Sequence, residues 1–161
     1  MTRWESLHHR VCRIGQSAST REGRMSALID ILWDGLAPHG LSWIGFYIDR
    51  PAEPSDRRLI LGPRRDKPAC SPIGLHGVCG QSLLARTPII VKDVRTLGAK
   101  YIACDPLDLS EIVIPCFASD GTIWGVLDAD SHIAGHFTND DQVQLIEMLE
   151  SAALSTRAGP D

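Results

Sequence analysis

The sequence predicts an α+β fold in which an antiparallel sheet carries the terminal helices packed on one face. Three observations lead there. Apolar residues recur at helical spacing near both ends of the chain, alternating stretches of strand length fill the middle, and Ser119-Asp120-Gly121 joins two of those stretches as a hairpin turn would. With 161 residues, 43% hydrophobic and 22% charged, the chain has the size and composition of one globular domain. It divides into N-terminal helices over 1–40, a sheet with its loops over 41–131, and a C-terminal helix over 138–156.

Residues 3–15 can form a short helix, and a better one runs from Arg21 to Leu36. Its Met25, Leu28, Ile29, Leu32 and Leu36 fall on one face, with Gly40 just beyond as a stop. Leu41 to Ile48 alternates as a strand, and Arg57 to Gly62 reads as another, with Pro51 and Pro54 in the turn between. From Pro63 to Pro72 the pattern is polar and irregular. Gly77-Val78-Cys79-Gly80 opens a helix to about Arg86, which Pro88 stops, and Ile89 to Val91 is a short strand. A loop of nearly twenty residues comes next, a length that compact domains usually keep for function. Glu111 to Phe117 and Thr122 to Asp130 form the hairpin strands. Thr138 with Asp141 three residues on marks a helix cap, and Val143, Ile146, Leu149 and Leu154 are the expected buried stripe of the last helix.

The formal net charge is −4 and no basic stripe stands out, which argues against binding nucleic acid through its phosphates. The charged start, Met1-Thr2-Arg3-Trp4-Glu5, has no apolar segment after it, and no apolar run approaches the ~18 residues of a membrane span. Five cysteines without a Cys-x-x-Cys pair suit thiols in a reducing, cytoplasmic setting.

The hairpin predicts a site. If Ser119 pairs with Thr122, Glu111 stands opposite Asp130 and Val113 opposite Asp128, so alternation puts Glu111, Asp128 and Asp130 on one face. Ile112, Ile114, Cys116, Leu127 and Ala129 take the other face as core. Like charges across a hairpin repel, so the fold gains nothing from three carboxylates together. They either face water or hold a cation, which could be a metal ion or the ammonium group of a ligand. On the first strand Trp43, Gly45 and Tyr47 share a face, two aromatics beside a glycine that leaves room between them. That wall is either ordinary packing or one side of a pocket for an apolar or thioether group with a cationic end.

Cys104 sits in the long loop just before the Glu111 strand, Cys79 at a helix N-terminus where the dipole favours a thiolate, and Cys70 in an irregular stretch nine positions earlier. A nucleophilic cysteine with a mobile partner is the minimum for sulfenic acid chemistry. Cys12, in a helical stretch, and Cys116, on the core face, read as structural.

Taken together, Trp43-Ile44-Gly45-Phe46-Tyr47, Leu61-Gly62-Pro63, Lys67-Pro68-Ala69-Cys70, Gly77-Val78-Cys79-Gly80, Ile102-Ala103-Cys104-Asp105, Ser110-Glu111-Ile112-Val113 and Gly125-Val126-Leu127-Asp128-Ala129-Asp130-Ser131 resemble the free methionine-(R)-sulfoxide reductases. These are single-domain enzymes of GAF fold, and the ordered set spans Trp43 to Ser131. The resemblance implies Cys104 as nucleophile, Cys70 as main resolving thiol and Cys79 as an auxiliary one. It implies Glu111, Asp128 and Asp130 as substrate-binding carboxylates, with Trp43 and Tyr47 as the aromatic wall. In two places the chain departs from the family pattern. The loop from Cys70 to Cys79 is one residue shorter, with His76 where an arginine is common, and Tyr101 replaces a frequent histidine.

On this reading Cys104 attacks the sulfoxide sulfur, Glu111 supplies the proton the oxygen needs, and Asp128 and Asp130 hold the α-ammonium. The sulfenic acid condenses with Cys70 and is reset by an external dithiol such as thioredoxin; no bound cofactor or metal is expected. A homodimer is left open. The rivals are a GAF sensory module that binds a small ligand without chemistry, and a zinc site from Cys70, His76, Cys79 and Cys104.

Overall fold

Thr2 caps the first helix, α1 (Arg3–Gln16), by a reciprocal pair: its hydroxyl accepts from the Glu5 N–H at 3.2 Å and its own N–H donates to the Glu5 carboxylate at 2.6 Å. The computed structural model describes residues 1–17 and 20–156. α2 (Arg21–Leu36) has the predicted bounds and buries all five expected residues, Met25, Leu28, Ile29, Leu32 and Leu36. Gly40, in the left-handed region at φ +112°, turns the chain into the first strand.

The strands are β1 (Leu41–Asp49), β2 (Leu59–Arg65), β3 (Ile89–Val91), β4 (Ser110–Phe117) and β5 (Ile123–Ser131). They form one antiparallel sheet in the order β2-β1-β5-β4-β3. β2 begins and ends later than the sequence suggested. Arg58 is held in the turn by a two-pronged pair with Asp49 at 2.7 and 3.0 Å, and pairing with β1 continues to Ile44 opposite Arg65. Pro63 is tolerated because β2 is an edge strand, where a missing N–H costs no ladder bond.

The hairpin turn also differs from expectation. The Ala118 N–H donates to the Thr122 carbonyl at 2.7 Å, the Gly121 N–H donates to Ala118 at 2.9 Å, and only Gly121 has positive φ, so Ser119-Asp120-Gly121 is a three-residue loop. An extra residue in β5 compensates: Phe117 faces Ile123 but Cys116 faces Gly125, which turns Trp124 onto the same side as Leu127. Beyond this bulge the register is the predicted one, Glu111 opposite Asp130 and Val113 opposite Asp128.

The last helix, α4 (Asn139–Ser151), has the expected Thr138–Asp141 capping box but stops at Ser151, not 156. Its buried stripe is Leu145, Met148 and Leu149, continued by Ala152, while Val143 is 49% exposed. Past the helix the Leu154 carbonyl accepts from the Trp124 indole at 2.9 Å and the Thr156 N–H donates to Phe117, so the chain runs back along β4.

α1, α2 and α4 gather on one side of the sheet over a core that includes Ile44, Phe46, Ile112, Ile114, Leu127 and Ala129. The other face is smaller and is covered by α3 (Val78–Ala85) and two loops, over Trp43, Tyr47, Val78, Cys79, Leu83, Val113 and Val126. Among the described residues no helix is long and apolar enough to cross a membrane.

α3 approaches its covering loop so closely that a Cβ on Gly80 would collide with the backbone of Leu75. Gly80→Ala, which would stabilise an exposed helix, is therefore expected to destabilise this protein by about 1–3 kcal/mol. Urea unfolding monitored by circular dichroism reads the sign directly.

Candidate active site

Strand alternation and the β4–β5 register deliver Glu111, Asp128 and Asp130 to the α3 side of the sheet. Of the two alternatives, facing water fails for Glu111 and Asp128, which are 5% and 6% exposed, while Asp130 is half-buried. Burial, then the charges of Asp128 and Asp130, push the Glu111 carboxyl well above the usual carboxylate range. Burial followed by Asp128 does the same to Asp130. Asp128 is raised only to about 6, because hydrogen bonds from Glu111 and Cys79 favour its ionised form. The group of carboxyls therefore retains protons, and Glu111 is placed to donate one.

Trp43 and Tyr47 lie on the same face, ring centroids 6.1 Å apart. The space at Gly45 is taken by the Trp43 indole itself, whose ring a Cβ at Gly45 would meet at 2.5 Å, so the glycine serves the aromatic packing and not a gap between the rings. Both aromatics hold the loop that carries Cys70. The Trp43 indole N–H donates to the Lys67 carbonyl at 3.1 Å, and the Tyr47 hydroxyl donates to the Cys70 carbonyl at 2.8 Å. Burial, then the nearby carboxylates, raise the Tyr47 phenol, so it stays protonated as this donor.

Cys70 and Cys104 are joined in a disulfide at the rim of the pocket, with Cys104 exposed and Cys70 half-buried. The pocket is a cavity of about 40 Å³ between the aromatic wall, the carboxylates, Cys79 and the disulfide, roofed by Tyr101 and Ile102. Cys79 is a free thiol in the first turn of α3, but its helix position does not yield a thiolate. Burial, then Asp128 and Glu111, push it well above the ordinary thiol value. The four residues of the alternative zinc set are not brought together: Cys70 and Cys104 are bonded to each other, and His76 is exposed. Of the two cysteines read as structural, Cys116 is fully buried in the helix-side core, whereas Cys12 is exposed on α1.

A polar cluster beside the disulfide was missed by the sequence reading. The Lys67 ammonium pairs with Asp105, next to Cys104, and lies 3.8 Å from Asp108. His132, just after β5, contacts Asp105 at 2.9 Å and Asp108 at 3.5 Å, and the Ser42 hydroxyl donates to Asp108 at 3.1 Å. The cluster ties the Cys70 loop to the Cys104 loop and both to the end of the sheet. Lys67 and Asp105 flank the two cysteines in sequence, which is a faint signal. Asp108 and His132 carry none, because only the folded loops bring them there.

A GAF domain model matches residues 11–155. The free methionine-R-sulfoxide reductase of Escherichia coli is 37% identical over 121 residues, 72% of this chain and 68% of that protein. Among solved structures, the free methionine-R-sulfoxide reductase of Neisseria meningitidis in complex with its substrate superposes with a TM-score of 0.83 at 29% identity, covering 92% of this chain and 85% of that one. A putative GAF sensor protein from Burkholderia vietnamiensis also superposes at 0.83, with 30% identity over 99% and 97% of the two chains.

Replacing Lys67 leaves Asp105 without its ammonium partner and loosens the two cysteine loops. For Lys67→Met the equilibrium constant for forming the Cys70–Cys104 disulfide is expected to fall about fivefold, equivalent to ~1 kcal/mol for a partly exposed pair. Redox titration against glutathione with thiol counting measures it.

Proposed function

Since the chain belongs to the GAF domain family and, within it, to the free methionine-R-sulfoxide reductases, we propose that it reduces free L-methionine-(R)-S-oxide to methionine with Cys104 as the nucleophile. The observation that carries the reading is a cysteine pair, Cys70 and Cys104, closing a pocket floored by three carboxyl groups, two of them buried and the third half-buried. Those carboxyls suit the α-ammonium of a free amino acid. A methionine within a peptide has no charge there and would leave buried acids without a partner.

The sequence of steps balances on this chain's own groups. The Cys104 thiolate attacks the sulfoxide sulfur while Glu111 gives a proton to the departing oxygen; methionine leaves and Cys104 becomes a sulfenic acid. The Cys70 thiol then attacks the Cys104 sulfur, a disulfide forms and water leaves. The sulfoxide has gained two electrons and the cysteine pair has lost two. An external dithiol, for which thioredoxin is the natural candidate, reopens the bond by attack on the exposed Cys104 sulfur, leaving its own pair oxidised. Asp128 and Asp130 take the ammonium, and Trp43 and Tyr47 line the thioether end. Cys79 does not act as a resolving thiol in this scheme, because it is buried and held protonated.

The second reading, a sensor that binds a ligand without chemistry, is favoured by the likeness to the putative GAF sensor. A sensor has no use for a disulfide at the mouth of its pocket, and substitution separates the two. Cys104→Ser is expected to abolish even one turnover with the fold intact, since a hydroxyl is far less nucleophilic and the side chain is exposed. Cys70→Ser should still form one methionine per protein and then fail to cycle. Rapid-quench product counting distinguishes these, and a Cys104→Ser protein that reduces the sulfoxide sinks the assignment.

Substrate choice tests the carboxylates independently. Free methionine-(R)-sulfoxide should be used at least about a hundredfold better, by kcat/KM, than its N-acetyl derivative or the S epimer. Glu111→Gln should chiefly lower kcat, and Asp128→Asn chiefly raise KM. A coupled NADPH assay with separated substrates supplies all of these values.

A further inference from the structure

Cys79 is left without a role in the reaction, yet it is not placed as filler. Its sulfur, a Glu111 carboxyl oxygen and an Asp128 carboxyl oxygen all lie within 4.8 Å of one another. Glu111 Oε2 and Asp128 Oδ1, on side chains more than nine-tenths covered, find no hydrogen-bond partner outside this cluster. Three buried acidic groups that satisfy one another only by sharing protons leave the floor of the pocket suited to an electropositive occupant. An ammonium group would satisfy the oxygens but gains little from the sulfur, which is a weak acceptor. The thiol is what asks for a different occupant.

We infer that Cys79, Glu111 and Asp128 form a binding site for a thiophilic divalent cation of the zinc class, which competes with the amino-acid substrate for the pocket floor. The competition rests on the functional reading above; the metal site does not. One sulfur and two carboxylate oxygens are a donor set such an ion accepts, with a fourth position left for water. Tetrahedral sulfur and oxygen ligands of one zinc ion stand about 3.4–3.6 Å apart, so side-chain rotations must draw the three atoms together by up to about 1 Å. A cavity of about 40 Å³ has room for an ion and a water. Magnesium and calcium, which require six or more oxygens, do not suit it. The thiol proton passes to solvent as the ion binds. Cys70 and Cys104, being bonded to each other, offer no competing thiolates in the oxidised protein.

The test uses the oxidised, metal-stripped protein. Titration with zinc chloride in a calorimeter should give one site per chain, and magnesium chloride none. Cobalt chloride should produce a thiolate-to-metal charge-transfer band. In Cys79→Ser that band should vanish and zinc affinity fall at least tenfold, whereas Cys12→Ser should leave both unchanged. If Cys79→Ser fails to fold by circular dichroism, Asp128→Asn replaces it, with the same drop in affinity expected. No stoichiometric zinc uptake, or uptake indifferent to Cys79 and Asp128, overturns the site. Added free methionine should displace the bound zinc; binding that methionine leaves untouched overturns the competition. Failure of the functional reading shows separately, as metal-free protein that does not reduce methionine sulfoxide.

Discussion

The mutual repulsion of Glu111, Asp128 and Asp130 on one buried sheet face is the strain around which the rest of the molecule is arranged. The β4–β5 register fixes it, because Glu111 stands directly opposite Asp130 and Asp128 follows two residues earlier on the same face. Water would relieve it, but α3 and two loops exclude water from that face. The carboxyls respond by holding protons: burial raises all three, and the hydrogen bonds Asp128 receives oppose that rise there. In the proposed reaction this arrangement gives Glu111 a proton to transfer and Asp128 a charge to offer the substrate ammonium, beside the Cys104 nucleophile.

Such a face can be held only by a fold that is stable without it. The helix side supplies that stability. Its cluster runs without a break from Leu7 and Val11 on α1 through Leu28 and Leu32 on α2, across Phe46 and Leu127, to Met148 and Leu149 on α4. The site side has the smaller apolar cluster and concentrates the buried acids. The sheet therefore separates work: one face secures the strands, and the other uses their fixed spacing to force like charges together.

The loops over the site are tied down by polar contacts as well as by apolar residues such as Ala69, Tyr101 and Ile102. Trp43 and Tyr47 grip the Cys70 loop through its carbonyls, and Lys67, Asp105, Asp108 and His132 clamp that loop to the one bearing Cys104. These contacts set the two sulfurs side by side. The Lys67 and His132 ends of the clamp are partly exposed, so those ion pairs position the loops more than they stabilise them.

Short-range periodicity was enough to place α2 to the residue, to give the alternation that splits Ile44 and Phe46 from Trp43 and Tyr47, and to set the Glu111–Asp130 register. Each of these depends on neighbours within a few positions. Two of the sequence's shortcomings cancelled: the hairpin loop holds three residues where two were expected, and the Trp124 bulge restores the register that the longer loop would have shifted. The extension of β2 to Arg65, the exposure of Val143 and Cys12, and the early end of α4 came from packing partners far along the chain. So did the burial that keeps Cys79 a thiol in spite of the helix dipole, and the meeting of Lys67 and Asp105 with Asp108 and His132. The sequence by itself determined which side chains share a strand face. Only the tertiary structure decided how much water those side chains keep, because desolvation is set by everything that packs around a group, and that sets its protonation and reactivity.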